Sequence, residues 1–357
     1  MKNNVINLAK NLISIPSIKD SVKDLQKALD TAKSVLPDYP DKSFVCDNTP
    51  SLLIYNQWPE KGKFKIILNA HLDVVPGKPE QFIAKIDGSR LIGRGAIDMK
   101  AAAAVEILAF KEVAKKVQYP LGLQLVTDEE TGGHDCTGYQ IAQGILTDFY
   151  LCGEYSDLGI GNQTKGVLWL KITTHGKRAH GAFLWNGVNA ITKLNRELEK
   201  IILLFPVPNR PAWITTCNVS IVEGGKTVNQ VPDTASATLD IRRVPEDKAS
   251  DIVRKITSNK LFRDTNIEII TNEPTNFSDP KNHYLKSLSQ IIREHTGRPA
   301  KFIKFHGASD ARHYSQAGAC AIDFGPTGEG LHSDSEWVDL KSLENYYQIL
   351  VKFLLAQ

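Results

Sequence analysis

Three short, largely apolar runs, at 64–70, 121–126 and 149–152, each give way at once to metal-ligand chemistry: His71 with Asp73, Glu129 with Glu130, and Glu154. A strand buried on both faces of a parallel sheet reads as such a run, and open α/β sheets gather their sites just past the carboxyl ends of those strands. The chain is therefore expected to deliver histidine and carboxylates from several strands into one crevice. That arrangement belongs to a metallohydrolase.

Elsewhere the pattern sets the frame for these strands. Amphipathic helices are expected at 5–13 and 22–35, and from there to about residue 162 strand-like and helix-like segments alternate. An Asp87-Gly88 turn between β-like segments at 81–86 and 90–93 predicts a hairpin inserted after His71. After Gly161 the texture changes to a strand at 167–174, a helix at 187–204, half-exposed strands at 212–222 and 236–243, a helix at 247–259 and a strand at 266–271. Strand, helix, strand, strand, helix, strand is the order of a two-layer α+β unit of the ferredoxin-like kind. A helix at 284–295, strands at 300–305 and 319–324, and a helix at 340–355 resume the first texture. The expected fold class is α/β: a mostly parallel-stranded catalytic domain with helices on both faces, from 1–162 and 272–357, interrupted by the α+β domain at 163–271.

Composition removes several other functions. The net charge of +3, from 43 basic and 40 acidic residues, comes without the Lys/Arg-rich run that nucleic acid or an acidic membrane would call for. Residues 1–13 are too polar for a signal peptide and no stretch of ~18 apolar residues occurs, so the cytoplasm is the expected address and a membrane partner is not. Cys46, Cys136, Cys152, Cys217 and Cys320 are an odd, scattered set without CxxC spacing, which points to reduced structural thiols. The HExxH helix of single-zinc proteases is absent from the sequence.

Taken singly, the candidate residues are ordinary. Asp98 precedes Met99-Lys100-Ala101-Ala102-Ala103-Ala104, so it reads as the N-cap of an alanine-rich helix. In a strand, residues i and i+2 share a face, which places Asp73 to orient the His71 imidazole through its second nitrogen. Adjacent acids such as Glu129 and Glu130 at a strand-end turn are usually solvated, although there they can also point one toward a metal and one toward its water. Glu154 follows the apolar Tyr150-Leu151-Cys152-Gly153, and His332 closes a glycine-rich loop at 325–332.

As a set they are specific. His-Leu-Asp-Val-Val-Pro from His71, Gly-Arg-Gly-Ala-Ile-Asp-Met-Lys from Gly93, Thr-Asp-Glu-Glu-Thr-Gly-Gly from Thr127, Gly-Glu from Gly153 and the late His332 resemble the di-zinc aminoacylase and carboxypeptidase family over essentially the whole chain. That family includes acetylornithine deacetylase, succinyl-diaminopimelate desuccinylase, carboxypeptidase G and aminoacylase. The resemblance implies that Asp98 bridges two divalent ions, zinc or else cobalt or manganese, with His71 and Glu154 completing one site and Glu130 and His332 the other. It implies Glu129 as general base, and Asp73, placed to orient His71, is counted with Glu129 among the catalytic residues. Two borderline cations accept such nitrogen and oxygen ligands, and a carboxylate beside them can move a proton from water to a leaving amine. Hydrolysis of an amide in an N-acyl amino acid or a short peptide is the implied reaction.

The inserted domain resembles the family's dimerisation and lid domain, which implies a homodimer. Within it Gly176-Lys177-Arg178-Ala179-His180-Gly181 matches the segment whose histidine steadies the oxyanion in the partner's site, so His180 takes that role by resemblance. Asn229 and Arg242 stand where relatives place substrate-binding groups, and Arg312, in Gly307-Ala308-Ser309-Asp310-Ala311-Arg312, is a further candidate. Arg178 and Arg243 are expected to be structural or solvated. There are departures: Tyr155-Ser156 follows Glu154 where relatives carry proline, the segment from Val75 to Phe82 lacks the tryptophan many relatives show, and no Arg-Arg-Gly-Ser occurs near Thr164-Lys165-Gly166, which argues against a succinyl substrate.

Overall fold

A computed structural model describes every residue except Met1, Lys61 and Phe262. It divides into two units, Met1–Gln163 with Asn276–Lys304 and Ser309–Gln357, and Thr164–Thr275 with Phe305–Ala308. The second unit thus runs from Thr164 to Thr275 rather than over 163–271. Its end lies later because the Glu273 amide still donates to the Val167 carbonyl, at 2.7 Å. It also takes in Phe305–Ala308, where the Lys165 amide donates to the Phe305 carbonyl at 3.2 Å.

The first unit opens with helices α1 (Lys2–Ile13) and α2 (Val22–Lys33), then strands β1 (Asp41–Cys46), β2 (Thr49–Tyr55) and β3 (Lys63–His71). A small hairpin follows, β4 (Lys85–Asp87) and β5 (Arg90–Ile92), with Gly88 at φ 55° in its turn. Residues 81–84 do not join that hairpin as expected. Pro79–Phe82 form a 3-10 turn instead, because proline's fixed φ favours a turn start and the Gln81 side chain accepts from the Lys78 amide at 2.8 Å. Next come α3 (Ala101–Val113), β6 (Leu121–Val126), α4 (Tyr139–Ala142), β7 (Leu146–Cys152) and β8 (Ile160–Thr164).

The second unit holds β9 (Gly166–His175), β10 (Ala179–His180), α5 (Ala190–Ile202), β11 (Thr216–Gly224), β12 (Gln230–Val231), β13 (Thr234–Arg243), α6 (Ala249–Ser258) and β14 (Asn266–Asn272). The chain returns to the first unit with β15 (Asn276–Phe277), α7 (His283–Thr296), β16 (Phe302–Phe305), α8 (Ala311–Gln316), β17 (Cys320–Asp323), β18 (Gly328–Glu329), β19 (Trp337–Asp339) and α9 (Leu340–Leu355).

A nine-stranded sheet in the order β1-β2-β6-β3-β7-β17-β8-β15, with β16 on β8, organises the first unit. Its centre, β6-β3-β7-β17, is parallel, while β1 and β2 flank it antiparallel. Every residue of β6 is buried, as a strand covered on both faces must be. Helix α3 is buried nearly all round and packs on β3, with α1 and α9 against it. Phe149 of β7 stacks on Tyr284 of α7 at 4.7 Å, and its truncation to alanine would cost about 3 to 5 kcal/mol. A second sheet of four strands, β18-β19-β5-β4, ties the hairpin to the segment around His332.

In the second unit the sheet order β11-β13-β9-β14, antiparallel throughout, sets the first strand of the unit between its third and fourth. With α5 and α6 on one face, this is the ferredoxin-like arrangement. Alternation along β13 puts Leu239 and Ile241 into a core with Leu168, Leu170, Leu194, Leu198 and Ile256, and turns Asp240 and Arg242 to the opposite face. A short ribbon pairs β10 with β12. The five cysteines are unpaired, Cys136 and Cys152 in the core. Among the described residues no helix is long and apolar enough to cross a membrane.

Candidate metal centre

His71 is the last residue of β3 and is fully buried, while Glu154 lies two residues beyond the end of the neighbouring β7. In-register pairing, Asn69 with Cys152, brings the two side chains to the same sheet edge. The His71 Nε2 lies 2.9 Å from Asp98 Oδ1 and 3.5 Å from Glu154 Oε1. Its Nδ1 faces the Asp73 backbone carbonyl at 3.1 Å and the Asp73 carboxylate at 3.5 Å. So Asp73 does support the ring, but chiefly through its carbonyl, because β3 ends at His71 and the expected strand geometry does not extend to residue 73. The Asp73 carboxylate instead accepts from the Glu130 amide at 3.0 Å.

Asp98 is not a helix cap. It sits in the turn Ala96–Lys100 ahead of α3, whose N-cap position is Lys100, and its carboxylate points away from the helix amides. One oxygen faces His71, and the other lies 3.2 Å from His332 Nε2. His332 follows β18 with φ 58°, and its Nε2 is 3.1 Å from Glu130 Oε2. Ligand atoms of His71, Asp98 and Glu154 thus form one compact set, those of Asp98, Glu130 and His332 a second, each within 4.8 Å. Asp98 belongs to both.

Glu129 and Glu130 occupy the 3-10 turn Glu129–Thr131 just past β6. The turn closes because Asp128 accepts from the amides of Asp135 and Cys136 at 2.7 and 3.1 Å, and because Gly132 and Gly133 take φ of 115° and 67°. A side chain at Gly133 would meet the Asp310 carboxylate, with Cβ at 1.9 Å from Oδ1. The paired glycines after the paired acids therefore have a geometric cause.

Burial and mutual repulsion raise these acids. Glu130 is pushed up to about 7 by burial and by Asp98, Glu129 rises well above the carboxylate range through burial and Glu154, and Glu154 also rises, through burial and Asp98. Asp98 goes the other way: burial is outweighed by its hydrogen bonds with His332 and His71, which hold it well below the usual range. Burial would lower His71, but Asp73, Asp98 and Glu154 raise it well above its ordinary value. Carboxylates crowded to this degree are what a divalent cation relieves, and two imidazoles among them complete a nitrogen and oxygen donor set of the kind zinc takes. The residues fit a pair of divalent ions.

Sequence reasoning missed Glu336 and Arg94. Glu336 Oε1 accepts from the amides of Ile97 and Asp98 at 3.0 and 3.2 Å, and its other oxygen takes Arg94 at 2.7 Å, with both side chains buried. They hold the backbone on which Asp98 stands. The available signal was Glu336 itself, an acid four residues after His332.

The remaining expected site residues fall elsewhere. Arg312, in the first unit, is a correction: it is buried on α8 and donates to the carbonyls of Ser309 and Gly132 at 2.8 and 2.6 Å, so its guanidinium braces the glutamate turn instead of facing a substrate. His180, Asn229 and Arg242 belong to the second unit. His180 is exposed on β10, its Nδ1 accepting from the Ala182 amide at 3.1 Å, and the Gly181 amide donates to the Asn229 carbonyl at 2.7 Å. Arg242 donates through Nε to Asp240 at 2.9 Å. Arg178 pairs with Asp233 at 2.7 Å and Arg243 donates to the Glu273 carbonyl at 3.0 Å, both structural as expected.

Residues 67–356 match the profile of peptidase family M20/M25/M40. The chain belongs to this family. Within peptidase family M20/M25/M40 it resembles a succinyl-diaminopimelate desuccinylase of Buchnera aphidicola subsp. Cinara cedri (strain Cc), 29% identical over 386 residues, 99% of this chain and 100% of that protein. A probable carboxypeptidase of Aspergillus terreus (strain NIH 2624 / FGSC A1156) is 30% identical over 222 residues, 57% of this chain and 51% of that protein. The chain spans about half the length of such fungal relatives. The M20 fold is shared with the Bacillus subtilis YXEP protein, a dinuclear metal binding peptidase of that family, at a TM-score of 0.72, with 14% identity over 99% of this chain and 98% of that one.

Proposed function

We propose that the chain is a di-metal amidohydrolase, with zinc at both positions, that removes the acyl group from an N-acyl amino acid in the manner of acetylornithine deacetylase. The observation that carries this reading is Asp98, which turns one carboxylate oxygen to each of two histidine-and-carboxylate sets. Such a residue suits two cations better than one. The dinuclear YXEP protein of the same fold supports the count of two ions. Bound there, divalent ions would polarise the scissile carbonyl and acidify a water molecule.

The protein's own groups do the rest. Glu129, held on the turn that presents Glu130, takes the proton of the attacking water and returns it to the leaving amine. Burial and the neighbouring Glu154 raise its affinity for a proton, which favours its taking one from the water. His180 hydrogen-bonds the oxyanion in the site of a second copy, making the working form a homodimer, and Asn229 and Arg242 hold the substrate carboxylate, Arg242 through the terminal nitrogens that Asp240 leaves open. The unpaired cysteines fit a reducing, cytoplasmic location. A dipeptidase or carboxypeptidase would use the same chemistry, and the relatives named probable carboxypeptidases favour it as the second reading.

Hydrolysis of N-acetyl, N-succinyl and dipeptide substrates by zinc-loaded protein, with metal content measured in parallel, tests the reading. N-acetyl amino acids should be the best substrates, with two equivalents of metal bound. Turnover of dipeptides alone would replace the deacylase reading with the second one, and a single tightly bound ion would remove the bridging role of Asp98.

A further inference from the structure

The two glutamates on the turn past β6 are held differently. The Glu130 carboxylate meets His332 at 3.1 Å, whereas among the described residues no donor hydrogen-bonds the Glu129 carboxylate. A group that moves a proton must stand within hydrogen-bond reach of it. The aim of Glu129 is therefore set by the backbone that carries it, and by whatever holds that backbone.

Within the first unit the turn is tied down from either side. On one side the Glu130 amide donates to the Asp73 carboxylate at 3.0 Å. On the other the Gly132 carbonyl accepts twice, from Arg312 Nη2 at 2.6 Å and from His313 Nε2 at 2.9 Å, as its two lone pairs allow. The Gly132 amide closes the turn on the Glu129 carbonyl at 2.9 Å, so the residue gripped from outside is the one bonded directly to Glu129.

His313 is built for this grip. A carbonyl oxygen can only accept, so the ring must carry its proton on Nε2. Burial, against the pull of Asp310, lowers the imidazole from its ordinary value, and near neutral pH the ring is an uncharged donor. The imidazole is 8% exposed. Its helix, α8, is fastened to the central sheet by Tyr314, fully buried and stacked on Tyr150 of β7 at 4.1 Å. Asp310, at the start of the same helix, accepts from Thr137 at 2.5 Å. A donor on so rigid a support fixes what it binds.

We propose that His313 is a positioning residue for the proton-transfer step: through the Gly132 carbonyl it fixes the turn on which Glu129 stands, and so the aim of Glu129, without taking part in metal binding. The step it serves rests on the reading of Glu129 as the base; the hold of His313 on the turn does not.

Kinetics and hydrogen exchange on the zinc-loaded protein test this together. His313→Phe keeps a flat ring and removes the donor, so kcat should fall about tenfold with zinc content unchanged and KM within about twofold. His313→Gln, whose amide nitrogen reaches the place of Nε2, should restore most of that turnover. His313→Asn is too short to reach and should not, and it takes the place of His313→Phe should that variant fail to fold. In a Glu129→Gln background His313→Phe should lower kcat no further, because a residue acting through Glu129 has nothing left to aim. Without any turnover, His313→Phe and His313→Asn should speed exchange of the backbone amides at 129–133 and leave those of β3 at the wild-type rate. Unchanged kcat, zinc lost in step with activity, no rescue by His313→Gln, or an equal fall in the Glu129→Gln background overturns the proposal. So does exchange at 129–133 that is unaltered or that rises equally in β3. Near-normal turnover of Glu129→Gln alone overturns the reading of Glu129 as the base, and the exchange result then shows separately whether His313 holds the turn. If no substrate is turned over, the proposed activity fails and exchange alone decides the contact.

Discussion

The two candidate ligand sets that share Asp98 are built in different ways. His71 and Glu154 stand at the ends of adjacent parallel strands whose register is locked by a ladder of backbone hydrogen bonds, and His71 is fully buried with both ring nitrogens engaged. Glu130 and His332 come from a 3-10 turn and from a loop residue in the left-handed region, with the His332 side chain 53% exposed. Their placement depends on side-chain contacts: Asp73 on the Glu130 amide, Gln81 donating to the Ser333 carbonyl at 3.1 Å, and Ser333 bonding back to Gly330. A sheet edge places ligands as a by-product of folding, whereas a loop must be pinned contact by contact. The first set should therefore couple to stability and the second to local order.

Asp98→Ala, which removes the residue common to both, should have the largest effect. Activity should fall by at least about 1,000-fold, several kcal/mol of lost electrophilic assistance, with both equivalents of metal weakened. Elemental analysis showing one ion held normally would mean that Asp98 serves only one set. Glu129→Gln leaves the ligands in place and should lower turnover by about 100- to 10,000-fold at unchanged metal content. Loss of metal in that variant would make Glu129 a ligand instead of the base.

Replacing one histidine from each set tests the contrast directly. His71→Ala strands two carboxylates in a buried space and should destabilise the metal-free protein by about 3 kcal/mol. His332→Ala, at a half-exposed position, should cost about 1 kcal/mol or less. Each should lose about one equivalent of zinc. Equal shifts in denaturant midpoint would erase the distinction between strand-held and loop-held ligands.

Glu336→Gln keeps an acceptor for the Asp98 amide but loses the charge opposite Arg94, so chelator competition should show metal affinity weakened about tenfold with the ligands intact. Unchanged affinity would reduce Glu336 to a folding role. The smallest expected effect is on pH. Glu130, pushed up to about 7, takes on a proton as pH falls and must lose it again to hold an ion, so affinity weakens on acidification. Between about pH 7.5 and about pH 6.5 this group alone should lower it about threefold, and affinity that rises on acidification would contradict the assignment.

Much of this was legible in the chain itself. Apolar runs at the right lengths located β3, β6 and β7, because a strand covered on both faces has to be apolar throughout, and the acids and histidine that end those runs were exposed as anomalies by that background. The order strand, helix, strand, strand, helix, strand was enough for the ferredoxin-like unit. What the sequence could not decide was direction. Asp98 reads locally as a cap and is turned instead toward two histidines; Arg312 reads as a substrate arginine and is turned inward onto carbonyls. Glu336 carries no local mark in the sequence, and only the fold brings its oxygen to the Asp98 amide. Periodicity is a property of neighbours in sequence, so it survives in the string of letters. The aim of a single side chain is set by contacts between residues far apart in the chain, 242 positions in the case of Arg94 and Glu336, and only the folded structure contains them.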